Sequence, residues 1–146
     1  MARKGQVSTE LIIIIAAIMV IFIPIIVTVY MKASDTEETL LANQAQLAAS
    51  RIANMVNSVG NLGEGSSADL EIYLPKNAES ITFINIGKGS EITIKLMTRE
   101  GESDISETAK YPIKIEDQTS FENIGNGKIN MEIKSESIGV VIRRKS

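Results

Sequence analysis

A run of 21 uncharged residues, 11–31, constrains this chain more than any other feature of its sequence. Fourteen of the 21 are Leu, Ile, Val or Phe, and together they favour membrane insertion by roughly 4 to 8 kcal/mol. A helix of this length matches a hydrocarbon core about 30 Å thick. Because the run is apolar on every side, no rotation of the helix offers water a polar face. We therefore expect it to be surrounded by lipid or by other apolar helices.

The amino-acid composition excludes most kinds of catalytic and metal site. The 146 residues contain neither Cys nor His, which leaves only carboxylates, hydroxyls and amines as reactive groups. No catalytic constellation can be assembled from them, so we expect no enzyme, no metal site and no cofactor. The net charge of −3 argues against a nucleic-acid partner, because phosphate binding requires clustered cations.

The basic N-terminus differs from an ordinary secretory signal. Arg3 and Lys4 are followed by a small residue, Gly5, which precedes the apolar run instead of following it. Any cleavage at this glycine keeps the run in the mature protein. The two cations hold the N-terminus on the cytoplasmic side, so we expect the C-terminal part of the chain outside.

The run Lys4-Gly5-Gln6-Val7-Ser8-Thr9-Glu10 resembles the class III signal peptide of archaeal type IV pilin-like proteins. That pattern is Lys/Arg-Gly followed by Gln-x-Ser-x-Glu-x-x-x-Leu. Gln6, Ser8 and Glu10 match it, and Ile14 stands at the Leu position. The resemblance covers about the first 30 residues. It implies recognition of Arg3, Lys4 and Ser8 by a prepilin peptidase, cleavage between Gly5 and Gln6, and assembly into an extracellular filament.

Glu10 is a carboxylate at the border of the apolar run, one helical turn after Gln6. In an apolar filament centre it needs a partner, and cleavage would create a free ammonium on Gln6 of the same or a neighbouring subunit. The resemblance implies a similar assembly role. The alternative is a carboxylate solvated among lipid headgroups, and the flanking motif favours assembly.

Residues 6–60 are expected to form one long helix. Beyond the apolar run, apolar residues recur at spacings of three and four from Leu41 to Val59, and no Pro or Gly interrupts the stretch from Ala33 to Val59. Pro24 predicts a kink or a locally unwound turn at residues 22–25. A possible capping box, Ser34-x-x-Glu37, would start a second helix, but we favour continuity. Gly60, Gly63 and Gly65 should end the helix.

From Asp69 the period of the apolar residues is two, which predicts strands with one wet face and an antiparallel sheet. The six candidate strands lie near residues 70–74, 81–86, 92–96, 111–115, 129–133 and 140–142, with a hairpin turn at 87–90. We expect an α+β fold, with a leader at 1–5, a helix at 6–60 and a β-rich head at 61–146. The head should pack on the second half of the helix.

The remaining polar stretches carry no recognisable ligand motif. Residues 99–110 and 116–128 are interpreted as loops, and the acidic residues within 100–104 as solvated rather than calcium-binding. Residues 125–128 are interpreted as a turn instead of a phosphate loop. The basic residues 143–145 are interpreted as a solvated tail, with binding to an acidic neighbour as the alternative.

These features favour a subunit (prepilin) of an archaeal type IV pilus-like filament, in surface adhesion. Its partners would be the membrane, prepilin peptidase, the pilus assembly machinery and other copies of itself. The precursor would reside in the cytoplasmic membrane and the mature form in an extracellular pilus. The alternative is a single-pass membrane-anchored β-domain that binds or senses outside the cell. An archaellin is less favoured, because the chain is short and carries the Gln-x-Ser-x-Glu pattern.

Overall fold

The computed structural model describes residues 3–116, 121–122, 124 and 127–145, with side chains from residue 9 onward. Two compact units divide at Glu38–Thr39, inside the helix. The chain has an α+β architecture, as expected, with its β-rich part after the helix. In chain order the described elements are α1 (Arg3–Leu62), β1 (Ser67–Leu74), β2 (Ala78–Ile86), β3 (Gly89–Thr98), β4 (Gly101–Ala109), β5 (Ile113–Ile115), β6 (Gly127–Glu136) and β7 (Gly139–Lys145).

The continuity of α1 is confirmed. The helix passes through Ser34 and Glu37 without a second start, so the possible capping box is not used. It also continues through Pro24, and the unwound turn expected at residues 22–25 is absent from the described helix. A proline removes only one helical hydrogen bond, and the surrounding residues maintain the helix.

The end of α1 lies two residues beyond Gly60. A Cβ atom on Gly60 would lie 2.4 Å from the Tyr111 ring, so this glycine makes room for a neighbouring side chain instead of ending the helix. Gly63, with a φ of 90°, reverses the chain at the C′ position. The Ser66 hydroxyl then donates to the Val59 carbonyl at 2.8 Å and caps the helix end.

The described strands form two sheets. The first has the order β1-β6-β7-β5 and the second is the meander β2-β3-β4. The predicted hairpin turn at residues 87–90 is confirmed, since Ile86 pairs with Gly89 and Gly87 has a φ of 62°. The fifth and sixth candidate strands are also confirmed, as the antiparallel pair β6–β7.

The prediction of a loop at residues 99–110 is wrong. Residues 101–109 form β4, an edge strand paired with β3 from Ser90↔Ala109 to Thr98↔Gly101. Only Ile105 and Ala109 in β4 are apolar, so the alternation that reveals the other strands is weak here. Charged residues on an edge strand oppose pairing with other chains, which explains its polar sequence.

The fourth candidate strand is shorter than predicted and pairs differently. Residues 113–115 form β5, which runs parallel to β7 instead of antiparallel. The predictions of a loop at 116–128 and of a turn at 125–128 are wrong for residues 127–128, which begin β6 and pair with β1. Residues 117–120, 123 and 125–126 lie outside the described residues, so the rest of the loop is only partly tested. Within it, Phe121 is buried and stacks edge-on against Phe83 at 5.3 Å between ring centroids.

One hydrophobic cluster joins the second half of α1 to both sheets, as predicted for this region. The helix contributes small and β-branched side chains, and the strands contribute their alternate, inward-facing residues. This packing explains why the sequence alternates along the strands and repeats every three or four residues along the helix. The fully buried large side chains are Phe121, Ile52, Ile72, Ile92, Ile94, Leu96, Met131, Ile133, Ile142, Val56, Val59 and Val140.

Replacing Ile52 with alanine should destabilise the β-rich part of the chain by about 2–5 kcal/mol, because a buried side chain is lost and a cavity remains. Denaturant unfolding of the full-length protein in detergent, followed by tyrosine fluorescence, measures the change. The matched control is Asn54→Ala, which truncates an exposed residue of the same helix and should change the free energy of unfolding by less than about 0.5 kcal/mol. Equal effects would contradict this assignment of the core.

Candidate assembly segment

The apolar segment, residues 11–31, lies entirely within α1, and every one of its residues is exposed. Its large hydrophobic side chains are between 48% and 74% exposed, whereas the core residues of the same helix from Ala45 to Val59 are at most 4% exposed. Soluble monomers rarely expose a contiguous apolar surface of this size. The segment therefore needs a cover from outside the chain.

By length and composition α1 is able to cross a membrane, and this apolar window lies near the N-terminus. The structure is thus compatible with a membrane anchor. Lipid is one cover that satisfies the segment, since acyl chains match its side chains and the helix bonds its own backbone groups.

The hydroxyl of Thr28, inside the apolar segment, is satisfied within the helix itself. Pro24 lacks an amide hydrogen, and Thr28 carries a hydroxyl that needs a partner in apolar surroundings. The Thr28 hydroxyl donates to the Pro24 carbonyl oxygen at 2.8 Å. This bond lets Thr28 enter an apolar environment without an unsatisfied hydroxyl, but it does not replace the hydrogen bond that an amide at position 24 would donate to the Val20 carbonyl.

The structure places Glu10 in α1 as an exposed residue that directly precedes the apolar segment. The backbone of Arg3, Lys4, Gly5, Gln6 and Ser8 is also helical. The side chains of these residues lie outside the described part, so the predicted contact between Glu10 and the Gln6 ammonium is not tested. What the structure does provide is a carboxylate at the edge of an exposed apolar surface.

A polar seam fixes the second half of α1 against β4 and the residues that follow it. The Glu107 carboxylate accepts hydrogen bonds from Gln46 and from the Ser50 hydroxyl, the latter at 2.9 Å. Farther along, Asn57 Oδ1 accepts the Lys110 amide hydrogen at 2.7 Å. Sequence reasoning missed this seam, because it depends on β4 being a strand whose register turns Glu107 inward.

The outward face of the four-stranded sheet carries ion pairs between neighbouring strands. Lys128 Nζ lies 2.5 Å from Glu71, and the Tyr73 hydroxyl donates to the same carboxylate at 2.8 Å. The hydrogen bond from Lys128, followed by that from Tyr73, lowers the pKa of Glu71, and the Glu71 carboxylate raises the pKa of Tyr73. All these groups are exposed to solvent, which screens their interaction.

The basic residues Arg143 and Lys145 are part of this face and pair with acidic neighbours, so the interpretation as a solvated tail is wrong and its alternative is confirmed. Arg143 and Lys145 belong to β7. Arg143 forms a two-point contact with Glu116, and Lys145 Nζ lies 2.6 Å from Asp69. The hydrogen bond from Arg143 lowers the pKa of Glu116. These contacts link β7 to both edges of its sheet.

Replacing Glu71 with glutamine should reduce stability at neutral pH and leave it unchanged at strongly acidic pH. A carboxyl group whose pKa is lowered by folding stabilises the protein above its ordinary pKa and loses that effect as the pH falls through the lowered value. The midpoints of denaturant unfolding, measured from strongly acidic to neutral pH, report the change in stability. Glu91→Gln, an outward-facing residue without an ion pair among the described residues, is the control and should show a smaller pH-dependent difference. A loss for Glu71→Gln that persists in acid would contradict the pairing.

Within the described residues no group of three or more acidic side chains is arranged to hold a metal ion. The acidic residues Glu102 and Asp104 lie on β4, where Glu102 pairs with Lys95 at 2.9 Å. The outward side chains of a strand do not converge on one point, so they do not form a calcium loop.

Comparison with known proteins adds no relative. The chain matches no protein-family model, no curated protein and no solved structure.

Proposed function

We propose that this chain is a structural subunit of an archaeal type IV pilus-like extracellular filament that serves surface adhesion. It is made as a prepilin in the cytoplasmic membrane, is cleaved between Gly5 and Gln6 by a prepilin peptidase, and is then assembled by the pilus machinery. Polymerisation proceeds through the apolar segment.

One observation carries the proposal. A signal-like pattern, from Lys4 to Glu10, directly precedes a helical apolar segment that is exposed over its whole length. A simple anchor needs the apolar segment but neither the glycine nor the Gln-x-Ser-x-Glu pattern. A filament subunit needs both, since cleavage must spare the segment that later holds the copies together.

The transfer from membrane to filament is physically reasonable for this segment. Lipid chains and a bundle of identical helices are equally apolar, so the transfer need not be strongly unfavourable. Small residues such as Ala16 and Ala17 let helices approach closely, which favours packing between copies. The internal bond from the Thr28 hydroxyl to the Pro24 carbonyl satisfies that hydroxyl in either environment.

Glu10 supplies specificity in this proposal. Van der Waals packing alone determines the axial register of an apolar helix against its neighbours only weakly. A carboxylate that must meet the new ammonium of Gln6 fixes one register, since any other leaves a charge unpaired in apolar surroundings.

The test is the identity of the N-terminus in material sheared from the cell surface. Mass spectrometry of the sheared, pelleted fraction should find the chain beginning at Gln6, and electron microscopy should show filaments in that fraction. A protein that keeps residues 1–5 and stays a monomer in detergent-solubilised membranes would refute the proposal. That result would favour the membrane-anchored binding or sensing domain.

A further inference from the structure

One end of the unit Thr39–Ser146 brings the end of α1 together with connections between strands. The Gly65 amide donates to the Ser135 carbonyl at 3.0 Å, and the Ser135 amide donates to the Ser66 carbonyl at 2.8 Å. These bonds hold the loop after α1 against the end of β6, directly before the turn at residues 137–138. The helix end and the β6–β7 turn therefore lie at the same end of the unit.

Tyr111 and Pro112, between β4 and β5, connect two further turns to this end. The Tyr111 hydroxyl donates to Asn61 Oδ1 near the end of α1 at 2.9 Å, and the Tyr111 carbonyl accepts the Ser90 hydroxyl at 2.9 Å. The Pro112 carbonyl accepts the Val140 amide hydrogen at 2.9 Å. Because Ser90 and Val140 lie at the starts of β3 and β7, the turns before both strands are at this end.

Three large apolar side chains protrude from this end. Leu62 is the last residue of α1, Ile86 is the last residue of β2, and Ile138 lies in the β6–β7 turn. They are 77%, 60% and 89% exposed, respectively. A single exposed apolar residue is ordinary, but turns usually carry polar residues or glycine, so three such side chains at one end indicate an apolar partner. We call Leu62, Ile86 and Ile138 the apolar tip.

Two lysines accompany the apolar tip. The connections at this end are residues 63–66, 87–88, 110–112 and 137–138. Their charged residues are Lys88, Lys110 and Glu64, all of them exposed. Neither lysine forms an ion pair with another residue that the structure describes. These connections therefore present two cations against one carboxylate.

An anionic lipid bilayer is the partner that fits this combination. Apolar side chains that protrude from separate connections require a separate pocket for each in a rigid partner, whereas acyl chains adapt to all three. Proteins that bind at a membrane surface insert apolar side chains at the boundary between headgroups and acyl chains, and their lysines meet anionic lipids. The apolar tip and its two lysines supply both kinds of contact.

We propose that the apolar tip binds the surface of an anionic lipid bilayer. Leu62, Ile86 and Ile138 enter the boundary between the headgroups and the acyl chains. Lys88 and Lys110 contact the lipid phosphates. This inference rests on the proposed adhesion function, and it names the class of surface to which the filament adheres.

Vesicle binding by the full-length protein tests this inference without requiring filaments. The purified chain is reconstituted into dense, sucrose-loaded vesicles of phosphatidylcholine. Fluorescent acceptor vesicles of phosphatidylcholine and phosphatidylglycerol in equal amounts are then added, and they should sediment with the dense vesicles. Ile138→Ser and Leu62→Ser should each lower the amount bound about tenfold, because each removes one apolar side chain from the lipid boundary.

Met97→Ser is the matched control for these variants. Met97 is also an exposed apolar residue, with 46% of its surface accessible, but it lies near the other end of β3. Its replacement should leave the binding of acceptor vesicles unchanged.

A fluorophore at the apolar tip reports contact with lipid directly. Because the chain has no cysteine, Ile138→Cys accepts a single environment-sensitive label. Its emission should shift to shorter wavelength when acceptor vesicles are added, and brominated acyl chains in those vesicles should quench it. The same label on Met97→Cys should show neither change.

The variant Lys88→Gln/Lys110→Gln tests the preference for anionic lipid. It should bind the mixed acceptor vesicles about tenfold less than the wild type does, since each lysine near the surface contributes to the attraction. Acceptor vesicles of phosphatidylcholine alone should bind the wild type and this variant equally weakly.

The inference is overturned if wild-type protein does not sediment the acceptor vesicles, if Ile138→Ser binds them equally well, or if brominated lipid does not quench the label at position 138. A shift in emission that follows the density of the protein, without acceptor vesicles, would assign the apolar tip to contacts between copies and would also overturn it. The filament proposal is judged separately, by the mass of the N-terminus at the cell surface, so the two failures are distinguishable.

Discussion

Replacement of Gly5 with leucine is expected to lower cleavage of the chain at least about a hundredfold and to abolish filaments. Gly5 lies at the proposed cleavage site, where the backbone must approach the protease closely and leave its helical conformation. A bulky side chain obstructs that approach, and a displacement of about 1 Å at a reacting bond already costs about a hundredfold in rate. The measurement is the intact mass of the protein in membranes and in the surface fraction.

Ala2→Leu is the matched control, because it adds a comparable side chain to the leader away from the scissile bond. It should be cleaved normally. Mature protein beginning at Gln6, together with normal filaments, in the Gly5→Leu variant would contradict the assigned cleavage site.

Replacement of Glu10 with glutamine is expected to leave cleavage in place and to lower filament yield at least about a hundredfold. The exchange removes the carboxylate and leaves the Gln6 ammonium unpaired in apolar surroundings. Loss of one partner of a buried ion pair costs about 3–5 kcal/mol, which corresponds to more than a hundredfold in an association constant. Quantitative electron microscopy and immunoblotting of sheared filaments measure the yield.

Glu64→Gln makes the same chemical change in the exposed loop after α1 and should assemble like the wild type. Normal filaments in the Glu10→Gln variant would show that Glu10 is solvated at the membrane surface and does not direct assembly.

The long helix was predictable because every local signal agrees. From residue 33 to Val59 no proline or glycine interrupts a helical pattern, and the capping box at Ser34 and Glu37 is too weak to start a new helix. The details at its ends were less predictable. Gly60 lies inside the helix because Tyr111 occupies the space beside it, and this contact depends on the tertiary fold.

The strands with buried faces were predictable from their alternation, whereas β4 was not. Its sequence is polar because it lies at an edge, and its few apolar residues do not show the alternation of a strand. Its hydrogen bonds come from pairing with β3, which the sequence of β4 alone does not indicate. The parallel pairing of β5 with β7 likewise depends on how the chain crosses between sheets. A local pattern contains no information about that path.

The apolar segment was identified from the sequence because it contains no charged residue. Glu10 was identified because it is a charged residue directly before that segment. The seam at Glu107 and the exposure of Leu40 and Leu47 on the same helix were not. Both depend on which side of α1 faces the sheets, and only the packed structure distinguishes the buried alanines from the exposed leucines of the same turns.

The central claim is that other copies of the chain, and not lipid, surround the apolar segment in the mature protein. An Ile18→Cys variant carrying a nitroxide label places one spin in the middle of that segment, since the chain has no other cysteine. Spin–spin broadening should be weak in dilute, uncleaved precursor in membranes and strong in sheared surface filaments. The claim is contradicted if the mature surface protein gives spectra of well-separated labels in lipid-like surroundings.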